Sequence, residues 1–153
     1  MTALERSAAA QRTFVRAPLA DVTILAARVL IALLFIMSGF EKLTAYQAAA
    51  GHLEGMGVPA VFAYLAPPVE FFCGVAVLLG VLTQAVAALM FVFTVVATLI
   101  AHRYWQYADP AQHLAQYINF WKNVSMLGGM LLLIVTGGGR FSIDALIWRR
   151  RAR

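Results

Sequence analysis

The amino-acid sequence predicts an all-α membrane protein: a four-transmembrane-helix antiparallel bundle with a short interfacial C-terminal segment. Three observations predict it. Of 153 residues, 62% are hydrophobic and 12% charged, about half the charge of a soluble domain and too little to cover a globule of this size. Four apolar runs approach the roughly 20 residues that a helix needs to cross a bilayer at about 1.5 Å per residue. No run shows the alternation of a membrane β-strand, and an open sheet cannot satisfy its edges in lipid.

Residues 1–21 form a polar arm in which Glu5, Arg6, Arg12 and Arg16 precede any apolar core. No signal peptide is expected there, so the first helix directs insertion. That helix is predicted over 22–40, VTILAARVLIALLFIMSGF. The second spans 58–82 and contains Pro67, Pro68 and Glu70; the third spans 84–101. The link between them is so short that a tight antiparallel hairpin follows. The fourth spans 120–136 and ends at Gly137–Gly139. This triple glycine reads as a helix stop, because it lacks the preceding strand and following lysine of a phosphate loop. Residues 22–136 thus make one transmembrane domain and 137–153 a basic tail. Within the tail, Phe141–Trp148 is predicted to lie along the membrane surface with Trp148 at headgroup depth.

The net charge of +5 and pI near 9.9 would suit nucleic acid, but the charges gather at the chain ends beside apolar segments. Anchoring against anionic lipid explains them better, and nucleic acid is not expected as a partner. Arg6, Arg12 and Arg16 precede the first span, and Arg140, Arg149, Arg150, Arg151 and Arg153 follow the last. Four spans put both ends on one side, and the positive-inside rule makes that side cytoplasmic. The outer loops are then 41–57 and 102–119. The single cysteine, Cys73, excludes a disulfide framework or a thiolate metal site within one chain. It also excludes disulfide exchange.

Charges at membrane depth cost at least about 2.5–3.5 kcal/mol each on insertion scales, so they mark the informative positions. The polar cluster expected within the membrane comprises Arg28, Glu41, Lys42, Glu70, Lys122 and Asn123. Helical spacing puts Glu70 on one face with Ala63, Ala66, Pro67, Cys73, Gly74 and Val77, a small-sided stripe suited to close packing. Arg28 shares a face with Ala32, Phe35, Gly39 and Lys42; Lys122 shares one with Ser125, Met126 and Gly129. Glu70 is expected to be ionised and partnered by Arg28 or Lys122. Two readings stay open. The cluster contacts a ligand, or it only fixes helix register while Arg28 snorkels to the headgroups.

Near the outer side, His102, Tyr104 and Trp121 are candidate ligand contacts, within an aromatic set that also includes Trp105, Tyr107, Tyr117 and Phe120. A quinone or lipid headgroup could stack there; an interfacial aromatic belt is the simpler reading. No metal site is expected, and His52, His102 and His113 are not placed to hold a haem. No serine or cysteine nucleophile stands beside a histidine, which argues against a hydrolase.

Four segments together resemble the DoxX family of small four-helix bacterial membrane proteins. They are Arg28-Val-Leu followed by Gly39-Phe-Glu-Lys42-Leu; Val-Glu70-Phe-Phe-Cys-Gly74; Phe120-Trp-Lys-Asn123; and Gly137-Gly-Gly-Arg140-Phe-Ser-Ile-Asp144. The likeness covers about residues 22–146, and the double proline before Glu70 departs from it. The resemblance implies a cytoplasmic-membrane protein, and through some relatives an association with membrane redox systems. The leading expectation is therefore an accessory subunit rather than a stand-alone enzyme. It would serve a redox or quinone-linked system, with quinone as the candidate cofactor and a redox protein as candidate partner. A small proton-coupled transporter, which would have to be a homo-oligomer, and a purely structural protein are the alternatives.

Overall fold

The computed structural model describes residues 17–151, which form six α-helices and one 3-10 turn with no strand among them. They are α1 (Ala17–Thr44), α2 (Tyr46–Gly55), α3 (Ala60–Leu79), α4 (Thr83–Ala101), the turn Tyr104–Gln106, α5 (Pro110–Thr136) and α6 (Ile143–Arg151). Four of them, α1, α3, α4 and α5, are long and apolar enough to cross a membrane. Arg6, Arg12, Arg16 and Arg153 lie outside the described residues, as do the side chains of Arg149, Arg150 and Arg151.

Helix ends follow local chemistry. Asp109 caps α5, its Oδ2 accepting from the Gln112 N–H at 2.9 Å, with Pro110 at the first helical position where its missing N–H costs nothing. Gly80 closes α3 at φ 70°, in the left-handed region. Leu82 follows at φ 46°, a conformation that an apolar side chain rarely adopts.

Several boundaries differ from those the sequence predicts. The first span runs 17–44 rather than 22–40, and the second 60–79 rather than 58–82. The fourth begins ten residues early, at Pro110 rather than 120. Its first turns, PAQHLAQYIN, are polar and do not read as a membrane segment. At about 1.5 Å per residue this helix is about 40 Å long, beyond the roughly 30 Å of hydrocarbon, so those turns extend past the apolar layer. The predicted loop 41–57 contains α2, and 102–119 contains the 3-10 turn and the start of α5.

The bundle is built from two closely packed pairs, α1 with α3 and α4 with α5; α3 meets α4, and α1 meets α5, over shorter stretches. Close approach within the first pair depends on glycine. A Cβ on Gly39 would lie 2.6 Å from the Phe71 backbone nitrogen, and one on Gly74 would lie 3.0 Å from Phe35 Cβ. Two layers fill the centre: Ala32, Val77, Ala87 and Leu133, then Phe35, Met90 and Met130. Leu30, Met37, Phe72 and Leu132 turn outward, as lipid-facing side chains do.

The double proline does not break α3. Pro67 and Pro68 lie inside it, and each removes an N–H that would bond four residues back. The Tyr64 carbonyl, which Pro68 leaves free, accepts the Tyr46 hydroxyl at 2.7 Å from α2. The two tyrosine rings also meet edge to face at 5.6 Å.

Candidate functional site

The predicted polar cluster divides between the two ends of the bundle. Arg28 belongs to the end that carries the α3–α4 turn and the tail, and it touches neither Glu70 nor lipid. Only 1% of it is exposed, which overturns the snorkelling alternative. Its Nε donates to Val77 O at 3.0 Å and Nη2 to Leu78 O at 2.6 Å, while Nη1 donates to Gly138 O at 2.6 Å and Phe141 O at 2.9 Å. A planar guanidinium with five donors suits this task, because the last carbonyls of a helix have no partner within it.

Asp144 completes that end. Its carboxylate accepts from the N–H groups of Leu82 and Thr83 and from the Thr83 hydroxyl, at 2.7, 2.8 and 2.8 Å. It is therefore the N-cap of α4, supplied from the tail. The Asp144 N–H returns a bond to Gly80 O at 2.9 Å. Burial pushes the Asp144 carboxyl up, but the Thr83 and Leu82 donors and the Arg28 charge outweigh it and hold the carboxyl below its ordinary value.

At the opposite half, above the Phe35–Met90–Met130 layer, the remaining groups converge. Glu70 is 7% exposed and pairs with Lys42, whose Nζ lies 2.5 Å from Oε2 and also donates to Ser38 Oγ at 2.8 Å. Neither Arg28 nor Lys122, the partners expected from depth, takes that place. The reason is geometric. Cα–Cβ bonds lean toward a helix N-terminus, so on antiparallel α1 and α3 the Lys42 side chain leans inward and Glu70 leans up to meet it.

Lys122 is exposed and donates to Asn119 Oδ1 at 2.9 Å. Asn123 donates to Thr98 Oγ1 at 2.9 Å, and the Thr98 hydroxyl donates in turn to Thr94 O at 2.6 Å. His102 Nδ1 lies 2.8 Å from Gln116 Oε1. Glu41 is exposed and lies outside this set. Tyr104 sits at the centre of an aromatic cluster, with Trp105, His113, Tyr117 and Phe120 all within 5.1–5.5 Å. Trp121 continues the cluster through Phe120 and is 47% exposed.

The half opposite the tail thus holds the Lys42–Glu70 pair and an exposed Lys122, with amide and hydroxyl groups on α4 and α5. Chemically it offers proton donors to an electron-rich head group. Among the described residues no cluster of histidine, cysteine and carboxylate groups could hold a metal. Sequence reasoning missed Asp144, Thr83 and Thr98 as working residues. The signal was present: Thr83, Ala87, Met90, Thr94 and Thr98 recur at helical spacing and form the buried stripe of α4.

An all-α bundle with four spanning helices and paired charges at depth defines the class: a small polytopic integral membrane protein. The DoxX family model matches residues 23–103, more than half of the chain. The chain belongs to the DoxX family. It is 38% identical to the inner membrane protein YqjF of Escherichia coli (strain K12) over 129 residues, covering 84% of this chain and 95% of that one. With the inner membrane protein YphA of the same organism it shares 34% identity, over 80% of this chain and 89% of the relative. With the uncharacterized membrane protein Rv3486 of Mycobacterium tuberculosis (strain ATCC 25618 / H37Rv) it shares 32%, over 84% and 83%. No solved structure matches the chain.

Proposed function

We propose that this DoxX-family chain is a non-enzymatic accessory subunit of a quinone-linked redox system in a bacterial cytoplasmic membrane, holding the quinone head in its outer half. The observation that carries this reading is the cation excess there. Lys42 is neutralised by Glu70, whereas Lys122 has only the Asn119 amide oxygen as a partner among the described residues. Lys122 is exposed, so its ammonium is free to donate to an acceptor that docks beside it. A quinone carbonyl is a suitable acceptor, and Asn123 and the aromatic cluster supply further polar and stacking contacts.

The proton-coupled carrier has less support, because its candidate proton site, Glu70, is engaged by Lys42. A structural role accounts for Lys42 and Glu70 but leaves Lys122 without a task. Both termini belong on the cytoplasmic side by the arginine count. Reporter fusions at each end test this, and signals from opposite faces would overturn it.

The deciding experiment is purification in mild detergent followed by mass spectrometry of co-extracted quinones and proteins. Quinone should accompany the wild-type chain in near-stoichiometric amount and fall at least tenfold in Lys122→Ala. Equal, trace quinone in both preparations would remove the proposal.

A further inference from the structure

The four spans do not turn the same chemistry outward. α3 exposes Leu65, Phe72 and Leu79, and α4 exposes Leu89, Val92 and Val96. α1 and α5 break that pattern with Glu41, Lys122 and Ser125, all exposed. α5 is also the least apolar and the least buried of the four. A helix left to lipid should be the most apolar, because acyl chains offer its polar groups no bond. Both charged sites belong to one face. Glu41 recurs at helical spacing with Leu30, Leu34 and Met37, and Leu30 and Leu34 border the seam with α5 that Lys122 and Ser125 also line. Among the described residues the Glu41 carboxylate has no hydrogen-bond or ion-pair partner.

We propose that this face joins two copies of the chain about a two-fold axis along the membrane normal, with Glu41 of each copy paired to Lys122 of the other. Charge supports it: one exposed carboxylate and one exposed ammonium on a single face are self-complementary, since a two-fold axis brings each against its opposite twice. Height supports it too. α1 and α5 run antiparallel and meet where a Cβ on Gly129 would come 2.8 Å from Ile31 Cδ1. From that level Glu41 stands about 15 Å up α1 and Lys122 about 10 Å up α5. Side chains lean toward a helix N-terminus, so Glu41 leans down and Lys122 leans up, which closes the difference of about 5 Å. An axis along the normal keeps these heights equal in both copies. The pairing is compatible with the quinone reading and does not rest on it. An ammonium has three donors, of which Asn119 takes one and Glu41 of the second copy another.

The test uses the full chain, labelled with donor or acceptor at its C-terminus, in vesicles of phosphatidylethanolamine and phosphatidylglycerol. Energy transfer is followed as added lipid dilutes the protein. Wild-type copies should transfer well above the level of chance encounters. Glu41→Lys and Lys122→Glu should each weaken association at least tenfold. Mixing the two variants should restore it, because a mixed pair has opposite charges at both contacts. Should a reversal fail to insert, Glu41→Gln and Lys122→Gln read the same contact, and each should weaken association severalfold. Wild-type transfer at the chance level, with lipid alone covering the face, would overturn the proposal. So would reversals that associate as well as wild type, or a mixture that stays as weak as its components.

Discussion

Asp144→Ala should cost more than any other single change in the tail. The carboxylate accepts three hydrogen bonds, two of them from backbone N–H groups at the start of α4. Charge-assisted bonds contribute about 1.5–3 kcal/mol each in isolation. Three that share one part-exposed carboxylate contribute less than their sum. Loss of an N-cap alone costs up to about 2 kcal/mol. A total near 2–3 kcal/mol follows, or a fall of roughly 5–10 °C in Tm for a chain of this size. Asp144→Asn keeps one acceptor oxygen and should lose about half as much. The assay is thermal unfolding in detergent, with size-exclusion chromatography to confirm a folded start. Because folding lowers the carboxyl's pKa, its contribution is full above the unfolded value of about 3.9 and disappears as pH falls through the lower folded value. The wild-type advantage over Asp144→Ala should therefore be constant at pH 5–7 and shrink only in strong acid. Equal melting temperatures for the two proteins at pH 7 would refute the capping argument.

Other positions give outcomes of the same kind. Tyr46→Phe strands the Tyr64 carbonyl and should cost about 1–3 kcal/mol; in a Pro68→Ala background the new N–H satisfies that carbonyl, so the loss should vanish in a melting comparison. Gly39→Val forces α1 off the Phe71 backbone and should lower the yield of folded protein, by about 1–3 kcal/mol in stability. Lys42→Met leaves the Glu70 charge buried alone, and the double variant with Glu70→Leu should melt higher than Lys42→Met does.

The four spans were legible because a membrane helix announces itself by run length and apolar content, which need no tertiary information. The start of α5 was not, because its first ten residues are polar and become helical through a cap and through packing beyond the apolar layer. The faces of Glu70 and Arg28 could be read from helical spacing, since buried residues recur every three or four positions. Their partners could not. Depth counted along one helix ignores the lean of side chains on antiparallel neighbours, so Lys42 lay nearer to Glu70 than its place at the end of α1 suggested. Arg28 was read as a charge in need of a carboxylate, whereas its partners are backbone carbonyls, which leave no trace in composition. Asp144 stood in a recognisable run, but its task depends on a turn more than sixty residues away.

The two ends of the bundle use charge in opposite ways, and under the proposed function that contrast separates a ligand end from a folding end. At the tail end Arg28 makes four bonds to carbonyls and Asp144 three to α4 donors, so the ionised groups are tied into the backbone they secure. Such saturation leaves no capacity for a ligand. At the other end Lys42 pairs with Glu70, and the exposed Lys122 contacts only an amide oxygen on its own helix. Fold stability does not require the second lysine: it is exposed, and a neutral residue at 122 would strand no buried partner. Under the proposed function, substitution of Lys122 should lower quinone co-purification with little change in melting temperature, while substitutions at the Arg28–Asp144 end should lower the melting temperature.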